Sequence, residues 1–320
     1  SDVCSSDLRQ FYMRRTLRIF PLYFGAIGLS LWLLWLVPAD ALGLHRAQEL
    51  AIQPWLWTFT LNWKALLDWP TDLFAHFWSL CVEEQFYLFW PLLLRHRSPQ
   101  AVLRACAALA VISLASRLLM HPWLPHDDRG FMALYTFTPS RLDALALGGA
   151  VAALLRCPDW LQRWQAWRRP TCAAVTLLCL GTLVATHGFE QEHPRTQLWG
   201  YSVLSLTAAC WMLAIVTRPA SPQAPRTRWW HLEAPWLRRV GEVSFGMYVL
   251  HLPMHQMLGR WLMQVLGSPA RVSLGFNLAY ATGMSVLLYG LAWLSYRFWE
   301  QPFLRLKDRL AAYAPTRQPA

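Results

Sequence analysis

In this chain of 320 residues, hydrophobic side chains make up 55% and charged ones 15%, with 20 tryptophans and a mean hydropathy of +0.24. A soluble protein of this size needs more polar surface than that to cover its core, so the composition reads as an integral membrane protein. The net charge of +11 needs no nucleic-acid partner, because the basic residues sort into loops as membrane topology would place them.

In chain order, a polar start at 1–8 leads to Arg9, Arg14, Arg15 and Arg18, and then to an uncharged run at 19–37. Two further uncharged runs lie at 198–216 and 272–296; the three are 19, 19 and 25 residues long, against about 20 needed to cross the hydrocarbon. Five other runs are shorter or interrupted: 73–94 around Glu83 and Glu84, 105–120 broken by Arg117, 137–155 with Arg141 and Asp143, 171–187, and 243–266 with His251, His255 and Arg260. The pattern predicts an all-α, polytopic membrane helix bundle of about eight transmembrane helices. Loops on one side hold 21 of the Lys and Arg residues and loops on the other hold 6, with Arg117 and Arg141 left inside spans. Basic residues collect in cytoplasmic loops, so both termini are expected in the cytoplasm. The expected organisation is a cytoplasmic, arginine-rich segment at 1–18, a transmembrane domain at 19–299 and a cytoplasmic tail at 300–320. The longest connections, 38–72 outside and 219–239 inside, are too short for a core of their own. Seven cysteines show no paired metal spacing and read as packing residues.

Charges inside apolar runs are the candidates for function, since a central Asp costs about 2.5–3.5 kcal/mol on insertion scales. Glu83 and Glu84 are neighbours and point about 100° apart on a helix, so one of them, Glu83, is expected to face the interior. A structural ion pair with Arg141 is the competing role for it. Arg141 and Asp143 lie on nearly opposite sides of their helix, so each needs a partner from another span. Gly148 and Gly149 would let a neighbouring helix approach. Arg15 and Arg18, at i and i+3, can grip phosphate oxygens or simply anchor the helix among lipid headgroups. His251 and His255 share metal-ligand spacing, but Pro253 between them and the lack of an acidic third ligand favour an imidazole that hydrogen-bonds a substrate. His121, His126 and Asp127 read as a solvated outer loop. Glu300 reads either as a partner for an interior arginine or as a surface charge at a helix end. Ser79 and Ser140 lie beside key charges but in no nucleophile-elbow context.

Five segments, RRTLRIFPLY (14–23), WSLCVEEQFYLFWP (78–91), PSRLDALALGG (139–149), GEVSFGMYVLHLP (241–253) and SYRFWEQPF (295–303), together resemble the successive signatures of membrane acyltransferase family 3. The resemblance implies transfer of an acyl group, most often acetyl, from acyl-CoA in the cytoplasm to a hydroxyl of a cell-surface carbohydrate, in the bacterial inner membrane. It implies that Arg15 and Arg18 bind the CoA phosphates, and that Glu83, Arg141, Asp143 and His251 belong to the catalytic centre, with no metal. Glu300 matches the family's C-terminal Glu before Pro. The family pattern begins with two further spans, one carrying the histidine base. The resemblance therefore implies an N-terminally truncated chain, eight spans of about ten, in which His251 would have to substitute as base. A transporter or flippase for a lipid-linked sugar is the alternative that buried Glu, Arg, Asp and His would also fit.

Overall fold

The computed structural model describes residues 2–36, 45–68, 73–217, 234–259, 261–262 and 273–312. The basic loop residues Arg218, Arg226 and Arg228, together with Arg260, Arg271 and Arg317, lie outside the described residues. Among the described residues all regular structure is helical: α1 (Asp2–Leu36), α2 (Arg46–Ala51), α3 (Gln53–Trp57), α4 (Leu61–Lys64), α5 (Trp78–Leu94), α6 (Pro99–Met120), α7 (Asp128–Thr136), α8 (Thr138–Leu154), α9 (Pro158–Ala185), α10 (Tyr201–Val216), α11 (Pro235–Met254), α12 (Leu274–Ser295) and α13 (Gln301–Ala312).

Four helical stretches among the described residues are long and apolar enough to cross a membrane: Leu8–Leu36, Pro99–Trp123, Thr196–Val216 and Leu274–Leu306. A fifth appears if Asp128–Leu154 and Pro158–Ala185, bent by 106°, form one broken span. The protein is thus a multi-pass, all-α membrane protein; among the described residues four to five of the eight expected spans are full-length apolar helices. The shortfall has physical causes. Helices α5 and α8 have 17 residues each, a rise of about 25 Å where the hydrocarbon is about 30 Å thick. Helix α11 carries Arg238, Arg239 and Glu242 in its first half. The 171–187 run is only the second half of the 28-residue α9. Apolar side chains such as Val184 and Leu119 are 77% and 70% exposed, as expected where lipid replaces water.

Helix starts follow the sequence chemistry. Ser98 accepts from the Ala101 amide ahead of Pro99, and Ser273 accepts from the Phe276 amide. Asp127 is no free loop charge: its Oδ1 accepts from the amides of Arg129 and Gly130, both at 3.0 Å, and caps α7.

The helices group into two compact units. The first comprises α1–α3, residues 73–76 and α11–α13. There α1 packs on α11 and α13, and α11 packs on α12. Tyr23 donates to the Leu56 carbonyl at 2.8 Å, and Trp299 Nε1 to the Pro21 carbonyl at 2.9 Å. The second unit comprises α4–α10, with α8 packed between α6 and α10. Gly149 lets α5 come close to α8, since a Cβ there would sit 2.7 Å from Trp90 Cζ2; Gly148 faces open space.

Candidate functional site

In the second unit the apolar helices enclose two polar arrangements. The first is centred on Arg117 of α6, which is 1% exposed. Its Nε donates to the Leu198 carbonyl at 3.0 Å and Nη1 to the Ser140 carbonyl at 2.8 Å. Nη2 donates to Asp143 Oδ2 at 2.9 Å and to Ser202 Oγ. Ser202 Oγ in turn donates to the same Asp143 oxygen at 2.6 Å, and Oδ1 accepts from the Ala144 amide at 2.9 Å. Asp143 therefore has its partner on another helix, as its spacing from Arg141 required. That partner is Arg117, which from the sequence alone was merely a charge left inside a span. With ion and hydrogen-bond partners on every side, this cluster is a closed network.

Arg141 is treated differently. Its guanidinium carbon lies 4.8 Å from the ring centroids of Tyr135 and Tyr201 and 5.5 Å from that of Trp78, in a three-ring cage. The ionised groups that act on it are Asp143 and Arg117. The ion pair with Glu83 allowed by the sequence is not formed. Glu83 and Glu84 are both half-buried on α5, so the adjacent carboxylates are not divided into one buried and one exposed.

Their neighbour Gln85 is a structural fastener. Its Nε2 donates to the Phe59 carbonyl at 2.7 Å and to Asn62 Oδ1 at 3.0 Å, while its Oε1 accepts from Trp63 Nε1 at 3.1 Å and from Thr138. Asn62 completes the link to Thr138 Oγ1 at 2.8 Å. The 58–68 segment is thereby tied to α5 and to the start of α8. His121, His126 and Asp127, with Asp128, Glu192 and Gln197, line a cavity of about 270 Å³ in the same unit.

In the first unit a histidine pair is built by a proline. Pro253 has no N–H, so the carbonyl four residues earlier, that of the fully buried Val249, loses its helical donor. His76 takes that place, with Nε2 at 3.3 Å from the Val249 oxygen. Tyr248 reaches back and donates its hydroxyl to the His76 carbonyl. His251 packs edge-on against His76, centroids 4.5 Å apart, and its Nδ1 lies 2.6 Å from the Tyr248 carbonyl. A carbonyl oxygen can only accept, so Nδ1 carries the proton and Nε2 presents its lone pair. An apolar groove of about 350 Å³, lined among others by Leu34, Phe74, Val249 and Pro253, lies in this unit.

The same unit holds the candidates Arg15, Arg18 and Glu300. Arg14 is engaged by Gln10 within α1, through its Nε and Nη2 at 3.2 and 3.0 Å. Arg15 is half-buried and Arg18 exposed on the same helix. Glu300 is 6% exposed, accepts from Ser295 Oγ at 3.4 Å and lies within electrostatic reach of Arg18. It is not a surface charge. Gly246 makes room for it, since a Cβ there would stand 3.3 Å from Glu300 Oε1. His255 is engaged by Tyr280, Nδ1 to hydroxyl 2.9 Å.

The profile of an acyltransferase domain family, the third of the acyltransferases, matches residues 2–297. The chain belongs to acyltransferase family 3. Among curated relatives, YrhL of Bacillus subtilis (strain 168), a provisional peptidoglycan O-acetyltransferase, is 28% identical over 314 residues, covering 92% of this chain and 45% of its own length. The O-acetyltransferase OatA of Staphylococcus aureus (strain NCTC 8325 / PS 47) is 25% identical over 326 residues, covering 98% and 50%. The peptidoglycan O-acetyltransferase OatA of Listeria monocytogenes is 24% identical over 263 residues, covering 78% and 40%. The chain thus spans about half the length of the curated relatives it matches. No solved structure gives a significant match.

Family membership bears out the family resemblance and favours acyl transfer over transport. One further residue of the first unit, His76, carries a signal in the sequence. His76 is an ionisable group inside the same apolar run as Glu83, and the rule that singled out Glu83 applies to it equally. Tyr248, Tyr201 and Ser202 gave no such signal. A lone hydroxyl in an apolar helix is common, and only the fold assigns its neighbours.

Proposed function

We propose that this protein transfers an acyl group, most simply acetyl, from acyl-CoA to a hydroxyl of a cell-wall glycan, as the names of its relatives suggest for their own acceptors. Arg15 and Arg18, one turn apart on α1, hold the CoA phosphates on the cytoplasmic side, which is also where both termini lie. His251 Nε2 takes the proton of the acceptor hydroxyl. The oxygen then forms a bond to the thioester carbonyl carbon, the C–S bond breaks, and the CoA thiolate leaves and recovers the proton from His251.

The observation that carries this reading is the fixed tautomer of His251. The hydrogen bond from Nδ1 to the Tyr248 carbonyl leaves Nε2 as the basic nitrogen, and the edge-on His76 ring holds the imidazole in place. Calorimetry with acetyl-CoA on the detergent-purified chain tests the donor half. Binding is expected in the wild type and in His251→Gln, and its loss is expected in the Arg15→Ala/Arg18→Ala double variant. A folded wild type that binds no acetyl-CoA would overturn the assignment of the donor.

A further inference from the structure

We infer that Arg141 and the hydroxyl of Tyr201 form a binding site for an oxyanion, a carboxylate or phosphate oxygen of a ligand. The proposal concerns ligand chemistry and stands whether or not acyl-CoA is the donor.

The Arg141 guanidinium is embraced by Tyr135, Tyr201 and Trp78 at 4.8, 4.8 and 5.5 Å. Ring contacts of this kind engage the delocalised charge but supply no lone-pair acceptor for a guanidinium's five N–H donors. Among the described residues no protein oxygen accepts a hydrogen bond from Arg141. The nearby carboxylate is no help, because Asp143 is fully engaged by Arg117 Nη2, Ser202 Oγ and the Ala144 amide. Arg117, Arg141 and Asp143 together hold two cations and one anion, so the cluster is left with a net positive charge in an apolar unit.

Tyr201 supplies an independent observation. Its Oη is buried and has no hydrogen-bond partner, a state that native structures rarely leave unexplained. Its ring is itself one of the walls around Arg141, and lies 5.3 Å from that of Tyr135. A guanidinium without an acceptor and a buried phenol without a partner ask for the same thing: an atom that accepts hydrogen bonds and carries negative charge. A purely structural role for the cage would account for the cation over the rings. It would not account for the unused phenol.

The test is thermal melting of the full chain in dodecyl maltoside, with sodium phosphate or sodium acetate set against sodium chloride at matched ionic strength, and with phosphatidylglycerol added in a parallel arm. Phosphate or acetate is expected to raise the melting temperature of the wild type. Tyr201→Phe is expected to weaken that apparent affinity about tenfold, as for loss of a hydrogen bond to a charged group. Arg141→Lys, which keeps the charge but loses the planar fork, should weaken it further. A response to phosphatidylglycerol alone, lost in the same variants, would assign the site to lipid headgroup phosphate. Without anion, Tyr201→Phe should melt no lower than wild type, because its hydroxyl has no partner to lose. If no anion or lipid shifts a folded wild type, or if the shift survives in both variants, the proposal is wrong.

Discussion

The Arg117 cluster of the second unit and the His76–His251 cluster of the first both place ionisable groups among apolar helices, yet they are completed in opposite ways. Around Arg117, two backbone carbonyls, a carboxylate and a hydroxyl take up the guanidinium, and the carboxylate is itself covered by three donors. Around His251, one nitrogen is fixed by a carbonyl while the other keeps its lone pair. Burial of charge alone therefore does not mark function in this protein. The useful distinction is between polar groups whose valences are filled by the protein and those with a valence left over.

That distinction predicts unequal responses to substitution. The largest loss of stability belongs to Arg117→Met, which strands the Asp143 carboxylate in the interior and should cost about 3–5 kcal/mol in detergent unfolding. The Arg117→Met/Asp143→Leu double variant should recover much of that loss. A double variant as unstable as the single one would mean that the network is more than a mutually compensated pair. Next comes Gln85→Ala, which leaves partly buried acceptors and donors of the 58–68 segment unmet, at about 1–3 kcal/mol. Proteolysis within 58–68 should accelerate alongside the fall in melting temperature. Gly149→Ala forces its new methyl against Trp90 and should cost about 1–2 kcal/mol by overpacking, whereas Gly148→Ala, with open space before it, should be neutral or slightly stabilising. The smallest stability effect is expected for Pro253→Ala. It restores a helical donor to the Val249 carbonyl and displaces His76 from it, so melting should hold or rise while acyl transfer falls. A fall in both would show that the kink serves folding rather than the histidine pair.

Much of the architecture was legible because lipid imposes a simple rule on composition. The 198–216 and 105–120 runs fall within full-length apolar helices, and the 19–37 and 272–296 runs coincide with two others over 19–36 and 274–296. The shorter runs were harder, because an apolar stretch does not reveal that α5 and α8 stop at 17 residues or that α9 begins at Pro158. Within the site, Asp143 was legible as a residue needing a partner from another helix, since spacing alone forbids a pair with Arg141. Its partner was not legible, because helix neighbours are set by packing between α6 and α8. Arg141 went to aromatic rings rather than to Glu83 for the same reason: Tyr135 and Tyr201 lie far apart in sequence and meet only in the fold. The role of Pro253 was half visible. A helix kink could be read from the proline, but not the carbonyl it frees for His76.

Transfer of labelled acetyl from acetyl-CoA to a cell-wall glycan, measured for wild type and His251→Gln in the same lipid vesicles, tests the central claim most directly. Wild-type transfer that falls about 10²–10⁴-fold in the variant, with melting and acetyl-CoA affinity unchanged, is the predicted result. Equal transfer by both proteins would contradict His251 as the base.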